Sequence, residues 1–414
     1  MNEPSVLYIT NGSPSYMPPL RLGADQVEMG PNMPDGTTAD GRIRRRIEAG
    51  NITPESLLAC LPDGFTPDLI FIQASSYRCA RPIGLARLPG RKFLVIADLH
   101  HGTKPLTSML RYVAQENFDG VIVTHGAHFA HWFEELARCP VALIPNFNVA
   151  GHTQPFKAVR EPTVLFLGQA GDFHPRRRYL LDAIKQAGLP LIEGQAEPED
   201  AARLYGEAQI VFNCSLNGDI NMRVFEVLAA GGCLVTDRLS PQAGLEQLFQ
   251  DGRHLAFYDD ADDLLALLKL LLARPLDALD LARAGQKEYL ARHAPETRRR
   301  QVQDFVMQGI DPKIFSSMAV LPASQPDLMT RAAMYEQLQE VQRKTLFPLP
   351  LYIDPSLPAE IASDAADLVR FRPMPLTSWP TEPALLLLDK ETEATRQAQG
   401  GQTLLRYSAP VHQD

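Results

Sequence analysis

The stretch SLNGDINMRVFEVLAAGGCLVTDR, residues 215–238, holds an acid where an apolar helix has no ordinary use for one. Glu226 sits inside VFEVLAAGG, three residues after Arg223, so the two side chains share one helix face. Ahead of them, Asn217, Gly218, Asp219 and Asn221 make a polar turn that can cap a helix beginning near Asn221, and Gly231 and Gly232 can end it. Such a turn offers backbone N–H groups and the positive end of a helix dipole to a phosphate. An arginine there suits a diphosphate, and a carboxylate one turn deeper suits the paired hydroxyls of a ribose. The same spacing also describes an ordinary ion pair on a half-exposed helix, and spacing alone leaves both readings open.

A second group of candidates is rich in histidine. ADLHHG (97–102) closes an apolar run and opens a loop, which makes Asp98, His100 and His101 candidates for sugar contact or proton transfer. A neutral imidazole can take a hydroxyl proton near pH 7. THGAHFAH (124–131) adds His125, His128 and His131. The i,i+3 pair His128 and His131 admits zinc, but no carboxylate or cysteine nearby completes a ligand set, so no metal site is expected. His128 and His131 read as helix surface or packing; His125, at a strand end, is the functional candidate.

These residues need elements to hold them. In the first half, apolar runs at 6–10, 68–73, 93–98, 120–125 and 141–146 alternate with helical patterns at 105–116 and 127–139. That alternation predicts a parallel sheet covered on both faces. Residues 13–53, with the basic run RIRRR, read as a long loop plus one helix. After linker-like residues 148–162 the pattern restarts, with strands at 163–169, 190–194, 209–215 and 233–237 and helices at 177–187 and 199–208. The expected fold is therefore α/β, with two Rossmann-like domains at 1–150 and 160–310 and an extension at 311–414. In that extension, 330–344 reads as an amphipathic helix, and 383–390 and 402–409 as two strands. Ligands of open α/β sheets bind beyond the carboxyl ends of the strands, where the 215–221 loop and ADLHHG both fall.

Composition narrows the function classes. The 45% apolar and 21% charged content over 414 residues is that of a globular protein, and the length suits two or three domains. A net charge of −9 argues against a general nucleic-acid binder. The N-terminus has no signal-peptide pattern, and LLALLKLLLA (264–273) is too short to span a bilayer. Five scattered cysteines without a CxxC pair fit reduced thiols, and the expected location is the cytoplasm.

The order of motifs resembles the C-terminal half of GT-B glycosyltransferases, and within them the spore-maturation (CgeB-type) group. The resemblance rests on the polar loop, Arg223-x-Phe225-Glu226, the glycine pair, a strand ending Thr236-Asp237, and a turn built on Phe249, Asp251, Gly252 and His254. HPRRRYLL (174–181) and RHAPETRRR (292–300) also match. The coverage is good over 160–305, weak over the first 150 residues, and nil in the tail. The resemblance implies two Rossmann-like domains facing across a cleft, a nucleoside-diphosphate sugar as co-substrate, no cofactor and no catalytic metal. Glu226 would hold the ribose. Arg223, His174, Arg177 and the loop of Asn217, Asp219 and Asn221 would lie near the diphosphate. Asp98, His100, His101 and His125 would face an acceptor that is a protein, a glycan or a small molecule. Many retaining relatives carry a second glutamate eight positions before the first; here that position is Gly218, with Asp219 beside it. An epimerase or hydrolase on the same fold, or a non-catalytic nucleotide- or sugar-binding member, are the alternatives.

Overall fold

The computed structural model describes residues 3–310, apart from 16, 77–78, 101, 103 and 146–148. In the tail it describes 327–346, 349–368, 371–375, 377, 385–388 and 405–406. The first sheet has eight strands in the order Val141–Leu143, Gly120–Val123, Arg91–Asp98, Leu69–Ser75, Val6–Thr10, Gln26–Gly30, Ile43–Arg46 and Gly36–Thr37. All neighbours are parallel except the last pair. Val6–Thr10 and Leu69–Ser75 are buried along their whole length, which is why they read as unbroken apolar runs. Helix α1 (Pro105–Gln115) starts with proline at its first turn and buries Leu106, Met109, Leu110 and Val113.

Two expectations for this half are corrected. Residues 13–53 contain no described helix; they supply three strands of the sheet, and Gly50–Ile52 pairs separately with Ala80–Pro82. The basic run is a strand because Arg44 lies opposite Glu28 in register and donates to it at 2.9 Å, while Arg42 reaches the same carboxylate at 2.6 Å. Charge pairing across strands holds this edge where an apolar period is missing. The helix expected over 127–139 is instead a 3-10 turn, Ala127–Phe129, followed by a short helix, Ala130–Glu134, anchored by buried Trp132 and Phe133.

The second sheet has five parallel strands in the order Leu191–Gly194, Glu161–Leu167, Ala208–Phe212, Leu234–Asp237 and Ala256–Tyr258. Strand order reverses between Glu161–Leu167 and Ala208–Phe212, which makes the gap beyond their carboxyl ends the natural crevice of the sheet. Helices α2 (Pro175–Gln186), α3 (Pro198–Glu207) and α4 (Met222–Ala229) follow the first, second and third strands of this half. Helix α5 (Pro295–Gln308) then returns to the first sheet, where Val302, Phe305 and Val306 pack with Tyr8, Phe71 and Phe93.

The tail packs on the first half. Helix α6 (Leu328–Lys344) places Tyr335 against Trp132, with ring centroids 5.5 Å apart. Buried Arg331 bridges Asp364 of helix α7 (Ala359–Ala366), at 3.0 Å, and Glu135, at 3.1 Å. A small parallel sheet runs in the order Phe371–Pro375, Leu349–Ile353, Leu385–Leu388 and Leu405–Arg406. The last two lie within the two strands expected from the sequence.

Candidate active site

A cavity of about 930 Å³ opens at the strand-order reversal of the second sheet. Gly168 and Gln169 come from the loop after the first strand, His174 and Arg177 from the start of α2, and Arg223 and Glu226 from α4. Tyr205 of α3 closes one side.

The two arginines define its electrostatics. Arg177 donates to the carbonyls of Gln169 (2.6 Å) and Cys214 (2.8 Å), and Arg223 donates to the amide oxygen of Asn213 (2.8 Å). Both guanidinium groups lie over the Phe166 ring, 5.5 and 4.9 Å from its centroid. Among the described residues no carboxylate comes within ion-pair distance of either. Burial, and then the charge of Arg223, depress the pKa of Arg177. The adjacent Arg176 is a contrast, because it is paired with Asp237 at 3.2 Å. The sequence could not distinguish these neighbours; the structure turns both inward, one to a structural partner and one to the cavity. Gly168 has φ +146°, and a Cβ there would run into the Arg223 guanidinium, so the bare backbone makes room for it.

Glu226 is 5% exposed. Burial pushes its carboxyl up, against the charge of Arg223 and the Tyr205 hydroxyl, which hydrogen-bonds it. A buried acceptor beside two cations suits a ligand that carries hydroxyls at one end and negative charge at the other.

The polar turn works differently from expectation. Asp237, at the end of its strand, accepts from the Ser215 amide (2.8 Å) and hydroxyl (2.6 Å). Asp219 accepts from the amides of Leu216 (3.2 Å) and Asn217 (3.1 Å), so its carboxylate shapes the turn from within. Asn221 occupies the N-cap position of α4, but its side chain makes no capping bond and donates to Asn213 at 3.3 Å. Asn217, Asp219 and Asn221 therefore do not line the 930 Å³ cavity, whereas His174, Arg177, Arg223 and Glu226 do. Asp251 of the later turn binds Arg238 (2.7 Å) and the Phe257 amide (3.1 Å), which holds that turn together.

The histidine-bearing loops meet this turn across the cleft. The Asp98 carboxylate accepts from the His100 amide at 2.7 Å, and the His125 carbonyl accepts from the Ile220 amide at 2.8 Å. His100 Nε2 stands 3.7 Å from Asp219, and its ring lies 5.8 Å from that of His125. Burial raises the Asp219 carboxyl, but the imidazoles of His100 and His125 outweigh it and hold it below its usual range. His125 Nδ1 shares a 2.7 Å hydrogen bond with Thr124. His128 is fully buried, and burial pushes it down to about 3, so it stays neutral. His131 packs on Trp132 and meets Asp364 at 3.3 Å. His101 lies outside the described residues. Gly168, Tyr205, Asn213 and Phe166 were not singled out in the sequence. The glycine directly after a strand was the available signal; Phe166 reads as ordinary core.

Comparison with known proteins fits this geometry. Residues 170–304 match a family model described as glycosyl transferase-like. Sucrose-phosphate synthase from Thermosynechococcus elongatus superposes with TM-score 0.52 at 17% identity, over 74% of this chain and 99% of that one. A glycosyltransferase from Rickettsia africae gives 0.53 at 10%, over 74% and 99%. HepE from Anabaena, solved with UDP and glucose, gives 0.50 at 11%, over 74% and 100%. No curated protein sequence matches. The fold is thus that of the GT-B glycosyltransferases, two Rossmann-like units about a cleft. The chain carries a glycosyltransferase-family domain in its second half and is an enzyme of that class.

Proposed function

We propose that the protein transfers a sugar from a nucleoside diphosphate to an acceptor held on the side of the first sheet. The observation that carries this is the pairing of Arg177 and Arg223, buried over one phenyl ring without a carboxylate, beside the buried Glu226. A diphosphate supplies the missing negative charge, and a ribose supplies hydroxyl donors for Glu226. The two guanidinium groups give the leaving diphosphate the charge a metal would otherwise provide, so transfer proceeds without added metal. That HepE was solved with UDP and glucose supports a donor of this kind.

In this reading residues 160–310 hold the donor and 1–150 face the acceptor, with Asp98, His100 and His125 as the groups placed to contact it. Gly218 leaves no second glutamate, and Asp219 is committed to its own turn, so the reaction does not use a carboxylate from that loop. The motif order favours the CgeB-type group, and the cysteine pattern a cytoplasmic location. Among the described residues no helix is long and apolar enough to cross a membrane. A thermal-shift panel of UDP, GDP, TDP and CDP sugars tests the donor. One of them should stabilise the chain by about 2.7 kcal/mol at a hundredfold excess over Kd. No shift with any of the four would sink the proposal.

A further inference from the structure

A second cavity, about 740 Å³, lies beside the first, and the tail forms one of its walls. The loop of residues 168–174 separates the two, with His174 lining the nucleotide side and Phe173 the other. His100 and Lys104 come from the first half, Asn217 from the polar turn, and Ala333, Gln339 and Arg343 from α6. The tail thus reaches the cleft. Gln342 donates to the Asn217 carbonyl at 3.1 Å, and the Arg343 guanidinium stacks on Phe173 at 3.9 Å.

Polar groups inside this cavity lack partners. His100 is 8% exposed, and neither ring nitrogen makes a hydrogen bond among the described residues. Asn217 is 3% exposed, and its side-chain oxygen is likewise unpaired. Gln339, 3% exposed, presents its amide to the same space beside Tyr335. Buried polar groups of this kind are normally paired, and two of them lining one cavity point to a ligand. Lys104 is the only described residue other than glycine with positive φ, +52°, and it too faces the cavity. Strain of this sort concentrates at functional sites.

The charges at the wall are already balanced. Glu336 is held by the Thr107 amide (2.9 Å) and hydroxyl (3.0 Å), with Lys104 acting on it electrostatically. Glu340 pairs with Arg343 and with Lys344, the latter at 3.0 Å. What remains is a neutral set of imidazole and amide groups. A hydroxyl both donates and accepts, so it can satisfy the Asn217 oxygen and the His100 ring together.

From this we infer that the tail helix α6 completes an acceptor subsite for a neutral, polyhydroxylated ligand, a glycan or polyol. This rests on the transferase reading for its name as an acceptor site, but the binding itself is separable. The test is saturation-transfer NMR on the full chain with methyl α-glucoside and sucrose, and with glucuronate as the charged control. The neutral sugars should bind, and Ala333→Trp, which fills the cavity from α6, should weaken them about tenfold or more. Gln339→Leu serves as a second variant in case the tryptophan disturbs folding, which the thermal midpoint reports. Arg223→Ala, in the other cavity, should leave the sugar signals in place. Absence of neutral-sugar binding, preference for glucuronate, or signals unchanged in both α6 variants overturns the inference. Sugar binding that survives while every nucleotide sugar fails to bind would sink the transferase reading and leave this site standing.

Discussion

Two pairs of arginines in this chain meet opposite fates. Arg42 and Arg44, on the edge of the first sheet, converge on the fully buried carboxylate of Glu28 at 2.6 and 2.9 Å. Arg177 and Arg223, in the second half, reach only carbonyl and amide oxygens and the face of Phe166. The first pair is self-contained and holds strands together. The second repels itself and keeps its charge in reserve, an arrangement that costs stability and gains its use only with an anion present. Arginine count and local basicity are similar in RIRRR and HPRRR; what separates structure from function is whether a carboxylate answers.

The largest effect should come from the self-contained pair. Removing both partners, Arg42→Ala with Arg44→Ala, strands a buried Glu28 and should cost about 3–5 kcal/mol in denaturant unfolding. Nucleotide affinity of the folded fraction should not change. A stability equal to the parent's would erase the distinction between the pairs.

Glu226→Ala comes next. Calorimetry with the nucleoside diphosphate selected by the thermal-shift panel should show about 1.5–3 kcal/mol weaker binding. Parental affinity would remove the ribose role.

Glu226→Gln sharpens the electrostatic side. Burial raises the Glu226 carboxyl above its ordinary value of 4.5, so the native state binds its proton more readily than the unfolded chain. Stability from this group is then present at low pH and is lost as pH rises from 4.5 through the raised native value. Glutamine should make the apo protein more stable than the parent at pH 7, and the advantage should shrink as pH falls toward 4.5. Thermal midpoints across pH 4.5–8 measure it; a constant gap would mean the carboxyl does not titrate between those states. The smallest effect is that of chelation, since the arginines supply the charge. EDTA should leave transfer unchanged, and loss restored by one divalent ion would reverse that part of the account.

Much of the sheet architecture was legible because buried parallel strands are continuous apolar runs; VLYIT appears as Val6–Thr10 without adjustment. Residues 26–46 were not legible, since the strand pairing there depends on Glu28 meeting Arg42 and Arg44 across chain separations that no local period records. The Arg223 and Glu226 face followed from helix spacing, and both line the cavity. The side chains of Asn217, Asp219 and Asn221 did not follow from it. A turn residue can aim at a ligand or at its own backbone, and only coordinates show that Asp219 binds the Leu216 and Asn217 amides. The tail carried no chemical motif, and its place against the cleft depends on tertiary contacts such as Thr107 with Glu336.

The central claim is that Arg177 and Arg223 wait for a diphosphate. Its most direct test is calorimetry of Arg177→Ala and Arg223→Ala with a nucleoside diphosphate and with the matching bare nucleoside. Each variant should lose about 1.5–3 kcal/mol of diphosphate binding and keep its nucleoside affinity. Equal losses for both ligands, or none for the diphosphate, would contradict it.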